Sequence, residues 1–140
     1  MTIYTLVYES SATPSVAANM LVEIESMLET ARRRNPQNNV GGVLLVTSGR
    51  FVAALEGDKK DVKATFARIA LDPRHTGIDI LCAETTNKRH FTEWSMAYIG
   101  HSDALRSRYA GQPLASLIKR LSGDSLIDFM REIALSDGGR

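Results

Sequence analysis

Few side chains in this chain have the types and spacing that ordinary enzyme chemistry requires. The three histidines, His75, His90 and His101, show no metal-ligand spacing with one another or with the single cysteine, Cys82. The sequence has no dinucleotide-binding glycine motif and no phosphate-binding loop. We therefore expect neither a metal site nor an enzyme, and we interpret the histidines as surface or hydrogen-bonding residues.

One short segment centred on Ala53 has the pattern of a strand that lines a binding space. It follows the turn residues Ser48 and Gly49 and is rich in apolar side chains. Because side chains alternate across a strand, Phe51, Ala53 and Leu55 share one face. The alanine methyl group lies between two large apolar neighbours, so it leaves room on that face for another group.

Bulk composition narrows the class of protein. Hydrophobic residues make up 44% of the 140 residues and charged residues 24%, which is typical of one globular domain. The net charge of +1 gives no support for a nucleic-acid-binding or membrane-binding surface. No signal-peptide pattern is found, and the longest apolar runs are too short to span a bilayer. We expect a cytoplasmic protein with Cys82 as a buried, unreactive thiol.

Hydrophobic periodicity predicts the order strand, helix, strand, strand, helix, strand, followed by a fifth strand. This is the split βαβ pattern of an α+β, ferredoxin-like fold, with a mixed sheet that carries two helices on one face. The predicted strands cover 3–8, 43–46, the Ala53 segment, 78–83 and 94–98, with a loop at 9–15. The predicted helices are 16–34, with Ser15 as N-cap, and one that starts after Asp58 and ends near 71–73.

The rest of the chain predicts a second unit. We expect residues 1–100 to form the α+β domain and residues 101–140 to form a C-terminal helical extension. Ser102, Pro113 and Asp124 are residues that favour helix N-termini. Such an extension would cover the bare face of the sheet or join two subunits.

Several motifs spread over the first hundred residues resemble those of one family. They are LVYES at 6–10, RNP at 34–36, VGGVLL at 40–45, LEG at 55–57, DPRH at 72–75, RHF at 89–91 and WSM at 94–96. Together they resemble the BLUF family, which are blue-light sensors that bind FAD. The resemblance implies that the flat flavin ring lies between the two helices and the sheet.

The resemblance also implies a set of residues that bind FAD. Asn35 would bind the C4=O and N3–H edge of the ring, because an amide offers both a donor and an acceptor. Arg74 would donate near C2=O, and Asp72 would orient neighbouring groups. The other implied contacts are ring-facing Met27 and Ile69, His75, and Arg68 at the phosphates, with Lys63 or Arg34 nearby.

By the same resemblance, the photoactive residues are Tyr8, Trp94, Met96 and the residue at position 53. In the family, excited flavin takes an electron from the tyrosine, and a proton passes through a glutamine that then rearranges its hydrogen bonds. Ala53 occupies the position of that glutamine and has no side-chain donor or acceptor. We therefore expect FAD binding to survive, and the red-shifted signalling state to be absent or very short-lived.

Two other functions remain open on the same scaffold. One is a cofactor-free, ferredoxin-like interaction or assembly protein, because fold does not fix function. The other is a small acylphosphatase-like hydrolase, which is disfavoured because residues 9–15 lack a phosphate-binding arginine and glycine pattern. For the sensor, we expect a homo-oligomer, a downstream protein partner, and neither nucleic acid nor a membrane.

Overall fold

The computed structural model describes residues 2–47, 50–91, 96–99 and 123–136. In chain order, the elements are β1 (Ile3–Ala12), α1 (Pro14–Ala18), α2 (Met20–Arg34), a 3-10 turn (Pro36–Asn38), β2 (Gly41–Thr47), β3 (Arg50–Gly57), α3 (Lys59–Ala70), β4 (His75–Thr86), β5 (Ala97–Ile99) and α4 (Gly123–Ser136). No helix in these ranges is both long and apolar enough to cross a membrane.

The five strands form one sheet in the order β4-β1-β3-β2-β5. Strand β1 pairs antiparallel with β3 and β4, and β2 pairs antiparallel with β3. The short strand β5 pairs parallel with β2 at the other edge. This order is that of a split βαβ unit with a fifth strand, so the predicted α+β, ferredoxin-like fold with a mixed sheet is confirmed.

The two faces of the sheet support separate apolar cores. Phe51, Ala53 and Leu55 of β3 lie in one cluster with buried residues of α2 and α3, as the alternation predicts. Val52 and Ala54 lie in the other cluster, together with buried side chains of α4. Strand β3 therefore forms part of both cores, and any change in its position alters the packing on both faces of the sheet.

Gly42 of β2 lies unusually close to the backbone of β3 and to the side chain of Met96. A Cβ atom at this position would lie 2.3 Å from the carbonyl oxygen of Ala54 and 3.2 Å from the Cε of Met96. Only glycine fits so near a neighbouring backbone without a shift of the strand. The missing Cβ also leaves space for Met96, which is buried in the core between the helices and the sheet.

The predicted loop at 9–15 is wrong over most of its length. Strand β1 continues to Ala12, because Glu9 to Ser11 pair with residues 50–52 of β3 and Ala12 pairs with His75 of β4. Strand β4 is correspondingly longer than the predicted 78–83. The added residues are largely polar, so apolar alternation does not predict that they belong to the strands.

The first helix also differs from the prediction. It is two helices, separated at Asn19, whose φ of −132° and ψ of 41° are not helical. The N-cap of α1 is Thr13, and Pro14 occupies the first turn, where its missing N–H is not needed. Ser15 is therefore not the N-cap. The basic end of α2 at Arg34 is as predicted.

The second helix matches its prediction. The carboxylate of Asp58 accepts a hydrogen bond from the backbone N–H of Lys60 at 3.3 Å, which confirms Asp58 as the N-cap of α3. The terminal helix α4 begins at Gly123, so Asp124 lies within it rather than before it. Ser102 and Pro113 lie outside the described residues.

Candidate functional site

A cavity of about 440 Å³ lies between α2, α3 and the sheet. Every predicted site residue in the described part of the chain lines it: Tyr8, Met27, Asn35, Ala53, Arg68, Ile69, Asp72, Arg74, His75 and Met96. Trp94 lies outside the described residues. Of the two further cations considered, Arg34 lines the cavity, whereas Lys63 is exposed and does not.

The floor of the cavity is a row of side chains across three strands. Tyr8 of β1 is paired directly with Ala53 of β3, which is paired in turn with Leu44 of β2. Directly paired residues on one face of antiparallel strands have Cβ atoms roughly 4.5–5.5 Å apart. Any side chain at position 53 therefore lies beside the phenol of Tyr8.

Tyr8 is enclosed by aromatic rings. The ring of Phe66 meets it edge-on at a centroid distance of 5.3 Å, and that of His75 at 6.4 Å. Burial raises the pKa of the Tyr8 phenol well above its usual value, and the negative charge of Asp72 adds to this effect. The phenol is thus held in its neutral, protonated form.

His75 is fixed by hydrogen bonds at both ring nitrogens. Its Nε2 lies 2.6 Å from the carbonyl oxygen of Ile69, which can only accept, so Nε2 carries the proton in the neutral ring. Its Nδ1 then accepts from the hydroxyl of Ser10 at 2.8 Å. His75 therefore contributes the side of its ring to the cavity and holds the end of α3 against β1.

Asp72 and Arg74 form a close pair at the mouth of the cavity. The carboxylate accepts from Nε of Arg74 at 2.9 Å, from Nη2 at 2.5 Å and from the backbone N–H of the same residue at 2.9 Å. Burial alone would raise the pKa of Asp72, but the hydrogen bonds and charge of Arg74 lower it below its usual value. Asp72 thus orients the Arg74 guanidinium.

Asn35 is buried where α2 turns into β2. Its N–H donates to the carbonyl of Ala31 at 2.8 Å, and its carbonyl accepts from Asn38 at 3.1 Å and from Val40 at 2.9 Å. Although it precedes a proline, Asn35 keeps α-helical angles, and the chain continues into the 3-10 turn. These backbone bonds fix the position of Asn35, which lines the cavity.

Three cations and a hydroxyl line the cavity. Arg34, Arg68 and Arg74 all line it, and Nη2 of Arg68 donates to the hydroxyl of Thr65 at 3.3 Å. The hydroxyl of Thr65 donates in turn to the carbonyl of Asp61 at 2.8 Å. This arrangement suits an anionic group, such as a phosphate, next to the apolar walls.

Phe51 and Leu55 line the cavity together with Ala53, as their shared face predicts. The further lining residues were not singled out from the sequence: Leu28, Thr30, Ala31, Leu44, Thr65, Leu71 and Pro73. Two of these residues, Ala31 and Thr65, are related by helical spacing to predicted contacts. Ala31 follows Met27 by four residues on α2, and Thr65 precedes Ile69 by four on α3, so each pair shares a helix face. Ala31 and Thr65 could therefore be predicted as the residues one helical turn from Met27 and Ile69 on the same helix face.

Metal ligands are not gathered at this site. Within the described residues, no group of three or more histidine, cysteine, aspartate or glutamate side chains is placed to hold a metal ion. The cavity instead combines apolar walls with a few polar groups, which is typical of a site for a small organic ligand.

The fold and the cavity define a class: ferredoxin-like domains with a ligand site between two helices and the sheet. The sequence model of the BLUF family, described as sensors of blue-light using FAD, matches residues 3–97. The chain belongs to this family, which confirms the resemblance found from its motifs.

Relatives and solved structures agree with this assignment. The chain is 35% identical over 96 residues to photoactivated adenylate cyclase subunit beta of Euglena gracilis, covering 68% of this chain and 11% of that protein. It is 38% identical over 74 residues to the blue light- and temperature-regulated antirepressor BluF of Escherichia coli (strain K12), covering 53% of this chain and 18% of the relative. The chain thus spans less than a fifth of these relatives.

A structure of BlsA in its photo-activated state is similar over almost its whole length. The TM-score is 0.81 with 26% identity, and the match covers 95% of this chain and 94% of the other. The similarity therefore extends beyond the residues matched by the family model.

Proposed function

We propose that this protein is an FAD-binding blue-light sensor module whose photoswitching is impaired by Ala53. The observation that supports it most directly is the pairing of Tyr8 with Ala53 on the floor of the cavity. The family uses FAD, and the residues that line the cavity fit that group.

The cavity fits FAD in its volume, its apolar contacts and its charges. A volume of about 440 Å³ lies within the range of small-molecule sites, roughly 300–1,000 Å³. Met27 and Ile69 offer apolar contacts to a flat ring, and Asn35 offers a donor and an acceptor to its polar edge. Arg34 and Arg68 provide the charge that phosphates require.

FAD, when bound, supplies the absorption of blue light and accepts an electron. We infer that Tyr8 would give that electron, and its neutral, buried phenol on the cavity floor supports this role. Ala53 beside it has no side-chain polar atom that could pass a proton or hold an altered set of hydrogen bonds. We therefore infer that light produces no lasting change in this protein.

The output of the sensor would pass through other protein surfaces. We propose that residues 1–100 form the light-sensing unit and that residues 101–140 transmit its state to a second copy of the chain or to a protein partner. The packing of α4 on the sheet face opposite to the cavity supports this division. The proposal includes no reaction catalysed by this chain.

The binding part of this proposal is tested by titrating the purified protein with FAD and measuring flavin fluorescence. We expect one FAD per chain, and we expect Met27→Glu to weaken binding at least roughly tenfold, because it places a charge in an apolar wall. Leu21→Glu is the matched control, since Leu21 lies on the same helix and is 76% exposed.

The contrary outcomes are equally definite. A colourless protein that takes up no FAD would contradict the proposal and support the cofactor-free assembly protein. Equal loss of binding in the two glutamate variants would show that the effect comes from α2 in general and not from the cavity.

A further inference from the structure

A buried carboxylate lies on β3 directly after the cavity residue Leu55. The side chain of Glu56 is 0% exposed, and because side chains alternate along a strand it points to the sheet face opposite to the cavity. Its direct neighbours in the sheet are Thr5 of β1 and Gly41 of β2. A buried carboxylate persists only where donors satisfy it, so its partners indicate what it holds in place.

Both oxygens of Glu56 accept hydrogen bonds from the backbone. Oε1 accepts from the N–H of Phe91 at 2.5 Å, and Oε2 accepts from the N–H of His90 at 2.7 Å. Hydrogen bonds to an ionised acceptor are stronger and more directional than those between neutral groups. One side chain of β3 therefore fixes two successive peptide units that lie 34 and 35 residues further along the chain.

The same two residues are held by the terminal helix from the other side. Nη1 of Arg131 on α4 donates to the carbonyl oxygen of His90. The buried ring of Phe91 lies in one apolar cluster with Leu126 and Met130 of α4. A continuous series of contacts thus runs from the cavity strand, through the backbone of residues 90–91, to α4.

Two further polar atoms lie beside this carboxylate. Nδ1 of His90 is 3.8 Å from Oε2 of Glu56, and it is buried without a hydrogen bond among the described residues. The hydroxyl oxygen of Thr5, the strand neighbour, is in the same condition. Glu84 of β4 is paired with Thr5 in the sheet, so Glu84 and Arg131 are further charged groups near this cluster. The carboxylate therefore has alternative donors nearby if the backbone bonds are disturbed.

We propose that Glu56 is the positioning residue that couples the cavity to helix α4 through the backbone of His90 and Phe91. The coupling rests on the proposed function for what it transmits, namely the state of the flavin cavity. Leu55 lines the cavity and directly precedes Glu56 on β3, so a shift of Leu55 would move Glu56 as well.

The first test uses the protein without FAD. Amide hydrogen exchange of His90 and Phe91 is compared between the wild type and Glu56→Gln, in which the side-chain NH₂ must face one of the two N–H donors. We expect at least one of these two amides to exchange at least about tenfold faster in the variant, since one of the two hydrogen bonds is lost. Glu29→Gln, on the exposed face of α2, is the matched control and should leave both rates unchanged. Unchanged exchange in Glu56→Gln would overturn the proposal.

The second test measures transmission. FAD binding should alter amide exchange at Leu126 and Ile127 of α4 in the wild type. In Glu56→Gln this response should be lost while FAD affinity stays within about threefold, because the side chain lies on the other face of the strand. Arg131→Met should also lose the α4 response but keep the amides of residues 90 and 91 protected.

The outcomes separate the two proposals. A response of α4 that persists in both variants would refute the coupling. If the wild type binds no FAD, the proposed function fails, whereas the exchange of residues 90–91 still decides whether Glu56 holds them. If Glu56→Gln does not fold, Arg131→Met alone decides whether the contact with α4 carries the response.

Discussion

At the scale of single residues, the most consequential environment is that of Tyr8. The fold raises the pKa of its phenol, first by burial and then by the charge of Asp72. A raised pKa in the folded state means that the fold favours the protonated form. The resulting stability is complete below the usual tyrosine value, near 10, and is lost as the pH rises towards the folded pKa.

This environment predicts a distinctive alkaline titration. The difference in absorbance at about 295 nm between the wild type and Tyr8→Phe isolates the Tyr8 phenol. We expect its midpoint to lie at least about one unit above the usual value of 10, or to coincide with unfolding. In denaturant, the control, the same difference should titrate near 10. A native midpoint near 10 would show that the phenol is solvated.

The residue scale also shows where sequence reasoning reached its limit. The resemblance of the motif at 72–75 predicted that Asp72 and Arg74 contact FAD, and both residues line the cavity. The two hydrogen bonds of His75 were not predictable, because one goes to Ser10, which the sequence placed in a loop. The pairing that brings Ser10 into β1 depends on residues about 40 positions away.

At the scale of elements, apolar periodicity predicted the faces that pack on a core. It did not predict strand segments that are held mainly by backbone pairing. The alternation on β3 was correct, because its two sets of side chains pack on separate cores. The extensions of β1 and β4 consist largely of polar residues, so the hydrophobic pattern does not indicate that their backbones are paired. The break at Asn19 was hidden because apolar spacing continues across it.

The close approach at Gly42 gives a prediction for the β2–β3–β5 region. Gly42→Ala should lower the free energy of unfolding by about 1–3 kcal/mol, because its Cβ would overlap the carbonyl of Ala54. The measurement is urea-induced unfolding. Gly77→Ala is the control for strain alone, since Gly77 has a φ of +65° but nothing within 4 Å of an added Cβ. A loss no larger than that of Gly77→Ala would contradict the overlap.

At the scale of the whole molecule, one sheet joins a ligand cavity on one face to a helix on the other. The ferredoxin-like order of strands and helices within the first hundred residues was predictable, because hydrophobic periodicity indicates each of these elements. The position of α4 was not, since an apolar stripe at 126–130 suits a sheet face and a subunit interface equally well. The structure places that stripe on the sheet, next to Phe91.

The central claim concerns position 53, and light-minus-dark absorption spectra of the FAD-loaded protein test it most directly. The wild type should show no reversible red shift that outlasts the illumination, because Ala53 gives Tyr8 no hydrogen-bonding neighbour on β3. Ala53→Gln should gain such a shift, whereas Ala53→Leu, which fills similar space without an amide, should not. A stable, reversible red shift in the wild type, or its absence in FAD-loaded Ala53→Gln, would contradict the account.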